Sequence, residues 1–560
     1  VSNDFNLRLC YNDYIMKRKW MVLAACAALL TATTSDACTS FLVGKKASAD
    51  GSVMITYAAD SHNLYGELYH WPAAKWPKGS MLEIREWDSN KPLGKIPQVE
   101  ETYNVVGNMN EHQVAITEST FGGRPELEDS TGIMDYGSLI YVALQRAKSA
   151  REAIHIMTSL VKEHGYYSSG ESFSIADKNE AWIMEMIGKG VGNKGAVWVA
   201  IRIPDDCISA HANQSRIQQI PFDDKENCMY SPDVVSFARE KGYFNGKDKD
   251  FSFTKAYCPY DFSALRGCEA RVWAFMRKYD KSLDAYLPFL KGESDKPMPL
   301  YVKADRKLTL QDVKNGMRDH YEGTEFCMTN DAGMGPYKVP YRWRPMTFKV
   351  DGQEYVNERA IATQQTGFVL CAQLRNWLPD AIGGVLWFGV DDAATAVFTP
   401  MYGSIKETPE CFRVGNGDMM TFSWTSAFWI HNWVANMAYS KYSFMIEDIK
   451  PVQKELELGF EAMQPSIDKA AADMYAKNPE EAVKFLTWYS TTEANRSTAR
   501  WKQLGEYLVV KYIDGNVKKE VNGKFMQNGY GLSASPNFPG YDETYYRSIV
   551  NSAGERLKVK

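Results

Sequence analysis

Cys38 and Asp60 stand at the two ends of one short stretch, SDACTSFLVGKKASADGSVMITYAADSH, residues 35–62. The cysteine opens a strand-like run and the aspartate closes the next one. A thiol attacks a carbonyl only as its thiolate, so it needs a base nearby. If Cys38 is the first residue of the mature chain, its own α-amine, with a reference pKa near ~8, is that base. It takes the thiol proton and later returns it to the leaving amine, and no histidine is required. A carboxylate at Asp60 would hold or orient that amine. The plainer readings are a small buried hydrophobe at position 38 and a turn-forming aspartate at position 60.

The region before Cys38 reads as processing information. Lys17, Arg18 and Lys19 precede an apolar run of 11 residues from Trp20 to Leu30, and small polar residues follow. This is the order of a secretory signal, and 11 residues are too few to span a bilayer core. Ser35 and Ala37 stand three and one before Cys38, which suits cleavage between Ala37 and Cys38. The rival, a lipoprotein-like cleavage before Cys26 in LAAC, has only the six residues Trp20–Ala25 as its apolar core and is disfavoured. Residues 1–15 lie ahead of the basic region and read as an over-long start. An exported chain, periplasmic or extracellular, is expected.

The remaining chemistry is thinner. Of 10 cysteines, eight follow Ala37, scattered and without a CxxC pair, so neither a zinc site nor any other metal site is expected. The eight histidines include no HExxH, and the glycines near 188–195 lack a P-loop pattern, so no cofactor is expected. Glu118 precedes Thr120 by two in a strand and shares its face, where it could meet a substrate's amino group; solvation at a strand edge is the plainer reading. Asp391 and Asp392 could bind a cation or an amine, or form a solvated turn. A net charge of -5 with mixed signs leaves no basic footprint for nucleic acid. The 15 Trp, 32 Tyr and 25 Phe serve a large core or an aromatic-lined cleft.

These residues need elements to position them. TSFLVG and VMITY read as a hairpin around Asp50-Gly51. VAITEST, SFSIAD, EAWIMEMI and AVWVAIRI are strand-like. SLIYVALQRAKS, AREAIHIMTSLVKEHG, EARVWAFMRKY and TLQDVKNGMRDHY carry helical spacing. GFVLCAQL, GGVLWFGV and TAVFTPMY return to strands. Beyond 420 the pattern is helical to about 513, with interruptions at Pro465 and Pro479. The division is residues 1–37 removed, 38–420 a catalytic α/β body with helices over sheets, and 421–560 a mainly helical elaboration.

ACTSFLVGKKASADGS, MNEHQVAITESTFGGR, WVAIRIPDDCISAHANQSRI, HYEGTEF, NERAIATQQTG and IGGVLWFGVDDA together resemble the N-terminal-nucleophile cysteine dipeptidases of the dipeptidase A type, in the superfamily of penicillin V acylase and bile salt hydrolase. The likeness runs from Cys38 to about Tyr402. It implies an α+β fold, a four-layer αββα sandwich, with Cys38 as nucleophile and Asp60 as its amine-orienting partner. It also implies that Asn213 donates its side-chain amide to the oxyanion. Thr120 takes the place of a second donor that is commonly Asn, so a backbone N–H could serve instead. Relatives generally carry an arginine three residues before the acidic turn; here that place is Tyr57, which donates a hydrogen bond but carries no charge. Either a basic residue such as Arg124, Arg216 or Arg266 approaches in space, or the thiol is less activated. The expected function is hydrolysis of short peptides through a thioester on Cys38, with Tyr57, Glu118 and Thr120 lining the substrate. An amidase acting on N-acyl amino compounds and an exported peptide-binding protein are the alternatives. A small peptide is the expected partner, with no stable membrane insertion; whether identical chains assemble stays open.

Overall fold

The computed structural model describes residues 38–560; the basic region, the apolar run and the residues before the expected cleavage point lie outside the described residues. Ser40–Val43 (β1) and Val53–Asp60 (β2) form the expected antiparallel hairpin. Gly51 turns it in the left-handed region, at φ 87°. The Asp50 carboxylate fastens the turn by accepting from Ser48 Oγ at 2.6 Å and from the Ser52 N–H at 3.0 Å.

Short strands His70–Trp71 (β3), Val105–Val106 (β4) and Met109–Asn110 (β5) lead to Ala115–Gly122 (β6). Helices Tyr136–Leu144 (α1) and Ala150–His164 (α2) follow, their first turns capped by the Asp135 and Ser149 side chains. Next come Gly170–Ala176 (β7), Ala181–Gly188 (β8), Ala196–Ile203 (β9), Cys207–His211 (β10) and Cys228–Tyr230 (β11). Ala270–Met276 (α3), Tyr301–Lys303 (β12) and Leu310–Met317 (α4) precede Thr366–Leu374 (β13), Gly384–Val390 (β14) and Thr399–Tyr402 (β15). Three more helices follow, Ala427–Ser440 (α5) and the two long ones Tyr442–Tyr475 (α6) and Pro479–Lys511 (α7).

The strands form two sheets, antiparallel throughout. A seven-stranded one is ordered β12-β10-β1-β2-β13-β14-β15, and an eight-stranded one β11-β9-β8-β7-β6-β5-β4-β3. Side-chain alternation decides what covers each face. In β8, Trp182, Met184 and Met186 join Leu139, Ile154 and Met157 of α1 and α2. Ala181, Ile183 and Ile187 of the same strand join the cluster that holds β1, β2 and β13. The sheets therefore face one another, with α1 and α2 outside one and α4, α6 and α7 against strands of the other. All nine residues of β13 are buried, as a strand covered on both faces requires. The chain is α+β, as expected.

The expected break at Pro465 does not occur. The helix α6 runs through both Pro451 and Pro465 and ends before Pro479, which sits in the first turn of α7. There its missing N–H has no partner to lose. An interior proline costs about 3 kcal/mol; packing of Ile449, Phe460 and Ile467 into the core outweighs that cost.

Candidate active site

Hairpin register brings Cys38 and Asp60 to one end of the sheet. Thr39 bridges Ala58, in line with the pairing of Leu42 with Ile55, so Cys38 falls opposite Ala59 and beside Asp60. The cysteine is 5% exposed. Its thiol donates to Oε1 of Glu118 at 3.3 Å, and its sulfur lies 3.7 Å from the Tyr57 hydroxyl. Tyr57 donates to that same Glu118 oxygen. Burial, then the charges of Glu118 and Asp60, push the thiol well above its ordinary value; the Asp60 backbone N–H and the Tyr57 hydroxyl act against the rise. Burial, with the charges of Cys38 and Glu118, raises Tyr57 well above its ordinary value, so it keeps its hydroxyl hydrogen for Glu118.

Asp60 is wholly buried. Its carboxylate is ion-paired with Arg359 and accepts from Thr366 Oγ1 at 2.6 Å, while Gln365 Nε2 donates to its carbonyl at 3.2 Å. Burial lifts its pKa above the ordinary value, and Arg359 and Thr366 limit the rise.

Asn213 follows β10 in the left-handed conformation, φ 60°. Its Oδ1 accepts from Arg271 at 2.8 Å, which leaves Nδ2 to donate, here to the carbonyl of Thr120 at 2.7 Å. Its main-chain N–H donates to Ser119 Oγ at 3.2 Å. Ser119 Oγ lies 2.6 Å from His211 Nδ1, and His211 Nε2 lies 2.7 Å from Ser174 Oγ. Each ring nitrogen of His211 thus meets a serine hydroxyl. Burial pushes His211 down to about 3, so the ring is neutral at neutral pH.

Glu118, Thr120 and Glu171 share one face of the β6–β7 pair, where Thr120 stands directly opposite Glu171. Thr120 Oγ1 donates to Glu171 Oε2 at 3.0 Å, so its hydroxyl is directed at this carboxyl in the resting site. Burial and the Glu118 charge push Glu171 well above the usual carboxylate range. Glu118 is buried, not solvated at an edge. Thr120 and Asn213 are half-buried and mark where the site meets solvent.

Two arginines that sequence reasoning missed supply the positive charge. Arg271 of α3 donates to the carbonyl oxygens of Cys38 at 2.7 Å, Ala212 at 3.1 Å and Gly267 at 2.7 Å, and to Thr39 Oγ1 at 2.8 Å. Burial lowers it to about 10, still a cation at neutral pH. Arg359 lies in NERAIATQQTG, a segment singled out for its family likeness and not for this residue. The three arginines named from sequence are engaged elsewhere: Arg124 on the Ala256 carbonyl at 2.6 Å, Arg216 with Glu269 at 2.9 Å, Arg266 with Glu358 at 2.6 Å. Asp391 and Asp392 do not form a solvated turn. Both are buried, Asp391 accepting from Asn432 Nδ2 at 2.9 Å and Asp392 from Tyr341 and, at 2.8 Å, Tyr439.

A cavity of about 60 Å³ reaches Arg359 between Gly267 and the hairpin strands Thr347–Val350 and Gln353–Val356. A larger one, about 480 Å³ and lined by Arg318, His320, Lys450 and Glu457 among others, holds none of the expected site residues; a thiol, an amide donor and two guanidinium groups converge instead around Cys38 and Asp60. Among the described residues, all eight cysteines are free thiols, no cluster of His, Cys, Asp and Glu could hold a metal ion, and no helix is long and apolar enough to cross a membrane.

Residues 37–70 and 64–455 match peptidase family C69. Similar curated proteins include a probable dipeptidase of Latilactobacillus sakei, 28% identical over 476 residues, spanning 81% of this chain and 90% of that protein. A probable dipeptidase of Salmonella dublin is 27% identical over 69% of this chain and 85% of its own length. Dipeptidase A of Lactobacillus helveticus is 24% identical, covering 76% of this chain and 85% of its own.

Proposed function

The chain belongs to peptidase family C69 and is a cysteine peptidase, and from that premise we propose that it is an exported dipeptidase whose nucleophile is the thiol of an N-terminal Cys38. The observation that carries this reading is the convergence on one thiol of Tyr57 and Asp60 from β2 and Glu118 from β6, with the Asn213 amide tied to the same cysteine through Arg271. The curated relatives bear dipeptidase names, which supports the substrate class. Two facing antiparallel sheets between helices are what an N-terminal-nucleophile αββα sandwich would have. Residues 38–420 would form that catalytic body, with 421–560 as its helical elaboration.

Removal of residues 1–37 would turn the Cys38 nitrogen into a free amine. Glu118 accepts the thiol hydrogen bond, yet its negative charge opposes thiolate formation. An amine is the better base, because it becomes positive as the sulfur becomes negative, and its reference pKa of ~8 lies near that of a thiol. The thiolate then attacks the scissile carbonyl and the C–N bond breaks with the proton going to the leaving amine. Water cleaves the resulting thioester to release the acid. Asn213 Nδ2, turned by Arg271, would swing its hydrogen bond from Thr120 to the oxyanion; such a donor is worth about 3 kcal/mol in the barrier.

Cys38→Ser and Cys38→Ala, assayed against a panel of dipeptides, test the reading. Both are expected to reduce turnover to background while keeping the fold; undiminished turnover in both would refute it.

A further inference from the structure

A second acidic group beside the nucleophile calls for explanation, because each negative charge there makes the thiolate harder to form. Glu118 Oε1 sits 3.3 Å from the Cys38 sulfur. Glu171, on the neighbouring strand and the same face, is wholly buried; Thr120 donates to its Oε2, whereas no N–H or hydroxyl donates to Oε1, and the group's other hydrogen bond is with the Glu118 carboxyl. Two carboxyl groups side by side in a buried site, with one oxygen lacking a donor, form a place for a cation that carries several N–H groups.

The substrate can bring that cation. In an amino-terminal residue the α-nitrogen lies about 2.5 Å from the carbonyl carbon, a distance set by the N–Cα and Cα–C bonds. A sulfur poised for attack stands about 3–3.5 Å from that same carbon. An ammonium beside the attacked carbonyl therefore falls within a few ångströms of the sulfur, the region that Glu118 occupies. We propose that Glu118 and Glu171 form the receptor for the substrate's free α-ammonium group, so that the enzyme cleaves only the peptide bond next to a free amino terminus. The inference rests on the dipeptidase reading and adds the source of its end-specificity. It also accounts for the acidic setting of the thiol: the arriving ammonium neutralises the charge that opposes the thiolate, so recognition and activation coincide.

The test compares a leucyl-alanine dipeptide with its desamino analogue, 4-methylpentanoyl-alanine, which keeps the scissile bond and lacks the amine. Wild-type enzyme is expected to favour the dipeptide by about 100-fold in kcat/KM, the scale of a buried hydrogen bond to a charged group. The isosteric Glu118→Gln and Glu171→Gln variants should each compress that preference by about 10-fold or more. The wild-type comparison requires no variant to fold. Equal kcat/KM for the two compounds in the wild type, or a preference unchanged in both variants, would overturn the receptor while leaving the dipeptidase reading intact. No Cys38-dependent cleavage of either compound would overturn both.

Discussion

Arg271 holds Asn213 by its side-chain oxygen at 2.8 Å, and so fixes which end of the amide can donate. The same guanidinium holds the carbonyl of Cys38 at 2.7 Å. One residue of α3 thus sets Cys38 and the Asn213 amide relative to each other, although it lies 233 residues from the cysteine in sequence.

Replacing this fork by a single ammonium should separate charge from geometry. Arg271→Lys keeps the cation but cannot reach the five oxygens that Arg271 serves. We expect kcat to fall about 100- to 1,000-fold, the effect of a lost oxyanion donor, with a lowered melting temperature. Wild-type kcat in this variant would show that Asn213 needs no such support.

The buried Asp60–Arg359 pair should behave as a unit. Removing one partner of a buried pair typically costs about 3–5 kcal/mol, because the other charge is left uncompensated. Asp60→Asn and Arg359→Gln should therefore each destabilise strongly, and the double variant by clearly less than the sum, in denaturant unfolding. Simple additivity would mean that the two charges are supported independently.

Asp391 should make stability fall as pH rises. Burial, with the neighbouring Asp392 charge, raises its folded pKa to about 8 from an unfolded value of 3.8. Between these values the folded chain keeps a proton that the unfolded chain has lost. Its stabilising contribution is complete below the unfolded pKa and disappears as pH rises through 8, with a slope of up to about 1.4 kcal/mol per pH unit. Asp391→Asn, which mimics the protonated form, should abolish that slope. A wild-type difference from Asp391→Asn that stays constant from pH 4 to 9 would contradict this.

Local pattern made much of the architecture legible. The alternation in Ala181–Gly188 and the Asp50-Gly51 turn are short-range signals, and the observed strands follow them. Cys38, Asp60 and Asn213 could be named because family likeness attaches to contiguous segments. Arg271 could not: EARVWAFMRKY reads as a packing helix, and nothing local says that its arginine points at a cysteine across the chain. Arg359 and Glu171 are similar, since a buried charge declares itself only through partners brought in by tertiary structure. Pro465 misled for the converse reason, as long-range packing carries a helix through a residue that local preference would place at its end.

The most direct measurement is kcat/KM for a dipeptide with two otherwise identical chains, one beginning at Cys38 and one retaining Ala37 in front of it, each confirmed by intact mass. An amide nitrogen at position 38 cannot accept the thiol proton. The chain beginning at Cys38 should turn over the dipeptide and the extended chain should fall to the background of Cys38→Ala. Equal rates from the two would contradict the role given to the Cys38 amine.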